Sequence, residues 1–239
     1  MRQVVKTLRC FMGLLLCAFI ALQIFFFLRI ALIHITPLQS TTFERTTAVE
    51  LWRTGELSRW QHEWKDYALI SDNLKRAVVA SEDSGFSAHY GVEWSAIANA
   101  WKHNNTNTSA PNEGKRGAFR GGSTISQQLA KNLFLSSEQT YLRKVQELYI
   151  TFSLELLLSK EQLLELYLNH AEWGKGIYGV QAAAQNYYKT NASHIDPMSA
   201  ASMAAMLPRP RYYEEHRGDS ILKRRAAKVM AGIPLVVIP

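Results

Sequence analysis

The chain has 239 residues, 47% of them hydrophobic, and its 27 basic and 20 acidic side chains give a formal net charge of +7. About 200 residues follow an apolar amino-terminal stretch, which suits one core of ordinary size, and no repeat or long low-complexity tract indicates a repeat protein. Four basic residues flank the apolar stretch, so only +3 remains for residues 35–239 and we predict no nucleic-acid partner.

The first element is an apolar segment at residues 10–28, interrupted only by Gly13 and Gln23. About 19 residues form roughly 28 Å of helix, which is long enough to cross a bilayer. A cleaved signal peptide is the alternative, but the segment exceeds the usual apolar length of about 7–15 residues and no small-x-small cleavage site follows it. We therefore predict a retained transmembrane helix over residues 10–33.

The charges on the two sides of this helix predict its orientation. Arg2, Lys6 and Arg9 precede it with no acidic residue among them, whereas Arg29 alone follows closely. The positive-inside rule places residues 1–9 in the cytoplasm as a short tail and the remaining domain outside the cytoplasmic membrane. Both cysteines fall within the apolar segment, so the outer domain can form neither a disulfide nor a metal–thiolate site.

Residues 34–69 form a mixed, aromatic segment that we predict to be juxtamembrane. Trp52, Trp60 and Trp64 are spaced eight and then four residues apart. This spacing fits an amphipathic stretch at the membrane surface, where tryptophan is favoured, and it fits packing in the core equally well. The main domain is then predicted to span residues 70–239.

The domain opens with a short helical pattern that ends in two adjacent carboxylates, Glu82 and Asp83, before a predicted stop at Gly85. One face of this pattern is marked by Leu74, Ala77, Val78 and Ser81. A carboxylate in the last turn of a helix lies at the negative end of the macrodipole, and burial acts in the same direction, so its pKa rises and it can accept a proton near neutral pH. An exposed acidic pair beside a turn is the alternative.

The next stretch combines a helix, a loop and a second helix start. Residues 92–101 have a helical pattern, and residues 103–122 are polar with almost no apolar side chain, which predicts a mobile loop. The following helix begins at Ser123 or Thr124 as N-cap. A glycine-flanked, hydroxyl-rich helix start favours anions such as phosphate, and Lys131 adds a cation two turns later, whereas simple N-capping is the alternative.

Residues 140–158 predict a long helix with an apolar stripe on one face. Arg143 and Glu147 lie four residues apart on a different face, with Lys144 beside them, and a surface ion pair would explain this much. A second, antiparallel helix follows, because Ser159 and Gln162 have the spacing of a capping box. The stripe on the first helix consists of Leu142, Val145, Tyr149, Phe152 and Leu156.

The rest of the chain is also helical in pattern. Residues 174–179 match the letters of a dinucleotide-binding fingerprint, but they follow a helix rather than a strand, so we reject a cofactor loop there. Alanine-rich helices are predicted at residues 180–188 and 198–207, and a basic helix at residues 222–230. Strand signals are scarce, so the predicted fold class is mainly α.

Five motifs follow one another between about residues 70 and 230. They are Glu82-Asp83-x-x-Phe86-x-x-His89-x-Gly91, Gly122-Ser123-Thr124-x-Ser126-Gln127-Gln128 with Lys131-Asn132, Arg143-Lys144-x-x-Glu147, Lys160 with Leu164-Glu165-x-Tyr167-Leu168-Asn169, and Arg224-Arg225. In this order they resemble the peptidoglycan glycosyltransferases of the lysozyme-like superfamily, in the form without a penicillin-binding domain, the monofunctional biosynthetic transglycosylases. Ser126 stands where the family more often has threonine, and Glu93 where aspartate is usual; the match around Arg224 is the loosest.

The resemblance implies a lysozyme-like, two-lobed helical domain at the bacterial cytoplasmic membrane, with a periplasmic or otherwise extracytoplasmic catalytic site. It implies that the substrate is lipid II, which is polymerised with inversion into β-1,4-linked glycan strands as undecaprenyl diphosphate is released. The implied partners are the growing glycan chain, the lipid bilayer and other cell-wall synthesis or division proteins.

The resemblance also implies residue roles. Glu82 is expected to be the base and Glu147 the second motif carboxylate, which orients basic residues or aids the donor, while Phe86, His89 and Gly91 brace the turn beside Glu82. A divalent cation, Mg²⁺ or Mn²⁺, is compatible with the diphosphate, but the sequence shows no dedicated ligand cluster, so no metal ligand is predicted. The expected substrate-binding residues are Asp83, Ser123, Thr124, Gln127, Gln128, Lys131, Asn132, Arg143 and Lys144.

Three alternatives remain open at this point. A lytic enzyme of the same superfamily would cleave glycan with a catalytic acid and would not need the cationic residues. A penicillin-binding activity is suggested by Ser220-Ile-Leu-Lys223 and Ser71-Asp72-Asn73, but their order is reversed, Lys-Thr-Gly is absent and too little chain remains for that domain. An inactive membrane-anchored scaffold is the third, and the intact site residues argue against it.

Overall fold

The computed structural model describes residues 2–36, 38–95, 98, 122–138 and 140–239. The chain divides into two compact units, Met1–Gln39 and Ser40–Pro239. Half of the helix predicted at residues 92–101, and nearly all of the loop predicted at residues 103–122, lies outside the described residues.

The first unit consists of one long helix. Helix α1 runs from Arg2 to Ala31 and is followed by a 3₁₀ turn, Leu32–His34. This segment is long and apolar enough to cross a membrane. Its apolar side chains are exposed along most of its length, which is the surface that a lipid environment would cover.

The second unit is mainly helical, which confirms the predicted fold class. Three short strands, β1 (Gln61–His62), β2 (Glu172–Gly174) and β3 (Ile177–Tyr178), form one sheet in the order β1-β3-β2, with β1 parallel and β2 antiparallel to β3. The described helices are α2 (Thr42–Thr54), α3 (Asp72–Glu82), α4 (Ile125–Phe134), α5 (Tyr141–Leu157), α6 (Lys160–His170), α7 (Val180–Tyr188), α8 (Pro197–Met206), α9 (Pro210–Glu215) and α10 (Ser220–Gly232).

Side-chain caps determine where several of these helices begin. The Thr41 hydroxyl accepts from the Glu44 N–H, and the Glu44 carboxylate accepts from the Thr41 N–H, so a capping box starts α2. Ser159 and Gln162 form the same box at the start of α6, as their spacing predicts.

The second compact unit begins at Ser40, so it includes most of the predicted juxtamembrane segment at residues 34–69.

The glycine-rich stretch at residues 174–179 forms the turn between β2 and β3. Gly176 has a φ of 80°, and a Cβ atom there would lie 2.8 Å from Cδ1 of Leu51. Both the positive φ and the close approach of α2 require glycine in this tight turn. Gly174 and Gly176 lie at a connection between two paired strands rather than in a loop from a strand to a helix, which agrees with the rejection of a nucleotide site here.

Helices α3, α8 and α10 pack together at the centre of the second unit. Four of the side chains that α8 buries are alanines, with Ala200, Ala201, Ala204 and Ala205 fully inaccessible. Small side chains let helix backbones approach closely, so α3 is held firmly along its apolar face. The Ser81 hydroxyl of α3 also donates to the Ala204 carbonyl of α8 at 3.2 Å.

The apolar stripe of α5 does not face the core. Leu142 and Leu156 are 84% and 66% exposed, and Val145 and Phe152 are exposed as well. The buried face of α5 is instead partly polar; it consists of Glu147, Ile150, Thr151, Ser153, Leu154 and Glu155.

Two of the tryptophans of the preceding segment differ in their surroundings. The indole of Trp60 packs on the ring of Tyr178 with centroids 5.4 Å apart, whereas Trp52 is exposed on α2.

Candidate active site

Glu82 is the last residue of α3, and the packing of that helix fixes its position. Leu74, Ala77 and Val78 on the predicted apolar face are fully buried. The helix ends because Asp83 leaves helical geometry, with φ −162° and ψ 74°, two residues before the predicted stop at Gly85. The Glu82 side chain is partly buried, and the loss of solvation raises its pKa above the usual value.

Two hydrogen bonds support the ionised form of Glu82. The Ser81 hydroxyl donates to Oε1 at 3.2 Å, and the Gln128 amide donates through Nε2 to Oε2 at 3.0 Å. Both contacts oppose the rise in the pKa of Glu82 that burial causes. The site therefore holds a carboxylate that is a stronger base than a solvated one but is still supported when it is charged.

Asp83 joins the end of α3 to the start of α4. Its Oδ2 accepts from the Ile125 N–H at 2.9 Å, and Nε2 of His89 lies 2.9 and 3.0 Å from its two oxygens. Phe86 is fully buried with its ring edge-on to His89. The buried Asp83 carboxylate is thus engaged within the protein by Ile125 and His89, which favours a structural role over direct substrate binding.

The start of α4 is capped from within the protein. Thr124 is the N-cap, and its capping box with Gln127 commits the Gln127 N–H. The Thr124 hydroxyl donates to the Gly91 carbonyl at 2.6 Å. Since the Ile125 N–H is also taken, the structure favours capping over an open anion site at this helix end.

A second buried network lies behind this helix start. The Glu155 carboxylate accepts from the Ser126 hydroxyl at 2.5 Å and from the Lys160 amine at 2.8 Å. The Lys160 amine lies 4.4 Å from the centroid of the Phe86 ring. Gly91 lies against this network. Its φ is 78°, and a Cβ atom there would lie 3.1 Å from Cγ of Glu155, so a side chain at this position would crowd the Glu155 side chain.

Three cations surround the buried carboxylate of Glu147. Arg143 and Lys144 lie on α5, and Lys131 lies on α4. Glu147 accepts from Arg143 at 2.7 Å and is also paired with Lys144. Burial lowers the pKa of the Lys131 amine, and the charge of Glu147 partly offsets that effect. Nε of Arg143 is buried and has no hydrogen-bond partner among the described residues, so this guanidinium can still donate to an anion.

The cationic group and the base influence each other electrically. The charge of Glu82 acts on Lys131, which already interacts with Glu147, Arg143 and Lys144. The charge of Arg225 on α10 also lowers the pKa of Glu82, although less than burial raises it. Glu82 is thus linked electrostatically to Lys131 and, through Lys131, to the group around Glu147.

The other predicted binding residues differ in their accessibility. Ser123 is exposed, and Asn132 is partly buried. Thr124 and Gln127 are buried, although the Nε2 amide of Gln127 has no partner in the described chain. A separate cavity of about 590 Å³, bordered by Met198, Met206 and Met230 among others, contains none of the predicted site residues.

The described residues do not fit a resident divalent cation beside the three cations. Glu147 is the carboxylate there, and Arg143 and Lys144 already occupy it. Elsewhere, potential ligand atoms of Glu44, His62 and His170 lie within 4.8 Å of one another. The Glu44 carboxylate is already engaged by His170 Nδ1 at 2.7 Å and by the Thr41 N–H, which gives this trio a structural role.

The sequence pattern does not identify two contributors to the site. The Tyr167 hydroxyl donates to Oε1 of Gln128 at 3.0 Å, although the periodicity of α6 indicates only an inward-facing residue. Ser81 belongs to the predicted apolar face of α3, yet its hydroxyl donates a hydrogen bond to Glu82. The adjacency of Ser81 to Glu82 was the available signal for Ser81. Tyr167 stands in the fourth motif, but its contact with Gln128 spans 39 residues and cannot be deduced from spacing.

Comparison with known proteins gives one consistent result. A protein-family model described as "Transglycosylase" matches residues 50–233. A "Biosynthetic peptidoglycan transglycosylase" of Paraburkholderia phytofirmans is 45% identical over 222 residues, which are 93% of this chain and 89% of that protein. Proteins of the same description from Bordetella avium and Herminiimonas arsenicoxydans are 44% and 43% identical, and the alignments cover 94% and 91% of this chain and 92% and 91% of theirs.

Proposed function

The chain belongs to the transglycosylase family and is a peptidoglycan glycosyltransferase of cell-wall synthesis with a lysozyme-like helical domain, and from this premise we propose that it polymerises lipid II at the site around Glu82. The observation that supports the assignment of residues is a partly buried base whose charge acts on Lys131, the amine that also interacts with Glu147, Arg143 and Lys144. Glu82 accepts hydrogen bonds from Ser81 and Gln128, while its charge acts on Lys131.

Glu82 is the general base of this proposal. A sugar hydroxyl of the acceptor is a weak nucleophile, so a positioned base that removes its proton contributes roughly 10²–10⁴ in rate. The hydroxyl oxygen forms a bond to the anomeric carbon of the donor, and its proton passes to Glu82. Direct displacement converts an α-linked donor into a β-linked product, so no covalent sugar intermediate forms.

The cations serve the leaving group. The bond between the anomeric carbon and the diphosphate oxygen breaks, and the electron pair leaves with undecaprenyl diphosphate. Lys131, Arg143 and Lys144 stabilise the charge that develops there, since phosphoryl leaving groups need cations more than a proton donor. Glu147 holds two of these cations in place through its paired contacts.

The remaining predicted site residues take supporting roles. Ser123 and Asn132 are accessible enough to contact substrate, and Gln127 offers its unpartnered amide. Thr124 and Asp83 shape the site from within through their bonds to Gly91, His89 and Ile125.

The apolar helix gives the enzyme a single-pass membrane anchor. We place residues 1–9 in the cytoplasm, the span at residues 10–33 and the catalytic domain outside the cytoplasmic membrane, because the basic residues concentrate before the helix. Donor and acceptor both carry lipid tails, so anchoring raises the effective concentration of the enzyme at its substrate.

One polymerisation assay with labelled lipid II tests the proposal. Glu82→Gln should leave a folded protein with at least about 100-fold less polymer formation. Glu165→Gln is the matched control, because burial also raises the pKa of Glu165 while its Oε1 accepts from the Tyr67 N–H, a bond that glutamine can keep. Substantial turnover by the Glu82→Gln protein would remove Glu82 from this role, and digestion of finished glycan without polymerisation would favour a lytic enzyme.

A further inference from the structure

Gln128 connects the base to a tyrosine on another helix. Its Nε2 donates to Oε2 of Glu82 at 3.0 Å, and its Oε1 accepts from the Tyr167 hydroxyl at 3.0 Å. The three residues come from α3, α4 and α6, and Tyr167 is fully buried. The amide therefore bridges a carboxylate and a hydroxyl with both of its ends engaged.

The chemistry of the two ends makes the bridge directional. A carboxylate accepts only, so the amide NH₂ must face Glu82 whenever Glu82 is ionised. The amide oxygen then faces Tyr167 and requires a donor. Tyr167 remains that donor, because burial and the nearby charges of Glu82 and Asp83 raise its pKa well above the usual value.

We propose that Tyr167 is a positioning residue that holds the Gln128 amide in the orientation that supports the ionised base. This inference rests on the proposed role of Glu82 and extends it to a residue that touches neither Glu82 nor the reacting atoms. Without the hydroxyl, the Oε1 of Gln128 lies unpaired beside a buried ring, and the amide loses the contact that fixes its rotation.

The other charged groups around Glu82 do not replace this contact. Arg225 on α10 acts on Glu82 through charge alone, and the charge of Glu82 acts on Lys131 of α4; neither cation makes a described hydrogen bond to Glu82. Asp83, its neighbour, raises the pKa of Glu82. Ser81 donates to the other oxygen, Oε1, and shares its hydroxyl with the Ala204 carbonyl.

The test is the acid limb of the pH profile of polymerisation by the full chain in detergent. Tyr167→Phe weakens a donor to the ionised form, so the pKa of Glu82 rises and the limb moves to higher pH by about half to one unit. The rate on the plateau above the limb should change by less than about threefold, since the base is ionised there. Gln128→Leu should move the limb at least as far in the same direction.

Two comparisons separate positioning from structural damage. Tyr178→Phe removes another buried, hydrogen-bonded tyrosine that contacts Thr47, and it should leave the limb in place. The double variant Tyr167→Phe/Gln128→Leu should shift the limb no further than Gln128→Leu alone, because Tyr167 acts through Gln128. A uniform loss of rate with an unmoved limb, or additive shifts in the double variant, would overturn the proposal.

A direct titration makes the result independent of turnover. The side-chain carboxyl resonance of ¹³C-labelled Glu82, assigned by its loss in Glu82→Gln, should titrate at higher pH in Tyr167→Phe than in the unmodified protein. If Glu82→Gln still polymerises lipid II, the proposed base is wrong. If Glu82→Gln is inactive and the Glu82 resonance titrates identically with and without the Tyr167 hydroxyl, only the positioning role fails.

Discussion

Glu82 is held under two opposing influences. Burial at the end of α3 disfavours its charge, whereas the Ser81 hydroxyl and the Gln128 amide stabilise that charge. A structural carboxylate would be paired with a cation or exposed to water, and Glu82 makes no ion pair within 4.0 Å among the described residues. A carboxylate that is placed where burial disfavours its charge is typical of a residue that serves a chemical function rather than stability.

This conflict predicts an effect on stability. A carboxyl whose pKa is raised by folding binds its proton more tightly in the folded state, so the free energy of unfolding falls as pH rises from the unfolded pKa of about 4.3 through the folded value. The Glu82→Gln substitution removes the titrating carboxyl, so the free energy of unfolding no longer falls with pH on its account. We expect the variant to melt at a higher temperature than the unmodified protein at pH 7 and at an equal temperature near pH 4.

Thermal melting between pH 4 and pH 8 checks this expectation. Glu165→Gln is again an instructive control, because burial raises the pKa of Glu165 as well and a gain in the same direction should follow. A Glu82→Gln protein that melts lower than the unmodified protein at neutral pH would show that the ionised carboxylate stabilises the fold, contrary to the expectation.

At the scale of single elements, α5 presents two unlike faces. Its inner face carries Glu147 with Arg143 and Lys144, and its outer face carries the exposed apolar stripe that includes Leu142 and Leu156. An ordinary amphipathic helix turns its apolar side to the core, whereas α5 exposes its apolar stripe and has a partly polar inner face. The charged part of that face supplies two cations of the proposed leaving-group site.

The ion pairs of α5 predict a combined loss of stability and activity. Glu147 and Arg143 are only 4% and 15% exposed in their side chains. Glu147→Gln leaves the buried guanidinium without its counter-charge, so we expect the free energy of unfolding to fall by about 2–4 kcal/mol, somewhat less than for a fully buried pair. Polymerisation should fall at least about tenfold in kcat/KM, because two cations lose their anchor.

A comparison with a distant ion pair distinguishes the two losses. Glu214→Gln removes the partner of Arg59, which is 40% exposed, and it should cost less stability and leave kcat/KM unchanged. Assays at a temperature where both variants are folded by circular dichroism are needed. Equal kcat/KM for the two variants would remove Glu147 from the leaving-group site.

The elements show what sequence patterns can and cannot supply. Capping spacings predict the starts of α4 and α6, and periodicity predicts the buried face of α3, because these are local properties. Periodicity also finds the α5 stripe but cannot tell which side of the helix the rest of the chain covers. The Glu82–Gln128 contact spans 46 residues, so it emerges only from tertiary packing.

At the scale of the whole molecule, the anchor and the catalytic domain are separate compact units. Met1–Gln39 contains the apolar helix, and Ser40–Pro239 contains every predicted site residue. The second unit has its own buried core around α3, α8 and α10. Its catalytic groups should therefore keep their geometry when the anchor is absent.

Deletion of residues 1–35 tests whether the first unit serves for membrane attachment and the second for catalysis. Activity should fall more on lipid II embedded in vesicles than on lipid II in detergent micelles, because only the vesicle assay depends on tethering to a surface. The shortened protein should retain a cooperative melting transition. Equal losses in the two assays would contradict an anchoring role, and loss of the transition would show that the units do not fold independently.

Asp83 and Thr124 have a further consequence for how the chain can be altered. The Asp83 carboxylate holds the Ile125 N–H 42 positions later, and the Thr124 hydroxyl holds the Gly91 carbonyl 33 positions earlier. The ends of the intervening stretch are thus fastened together by the protein itself, and the entropy of closing a longer stretch grows by only about 0.6 kcal/mol for each doubling of its length. A reporter domain or an affinity tag inserted into the polar run between them should therefore leave the Asp83–Ile125 and Thr124–Gly91 contacts in place.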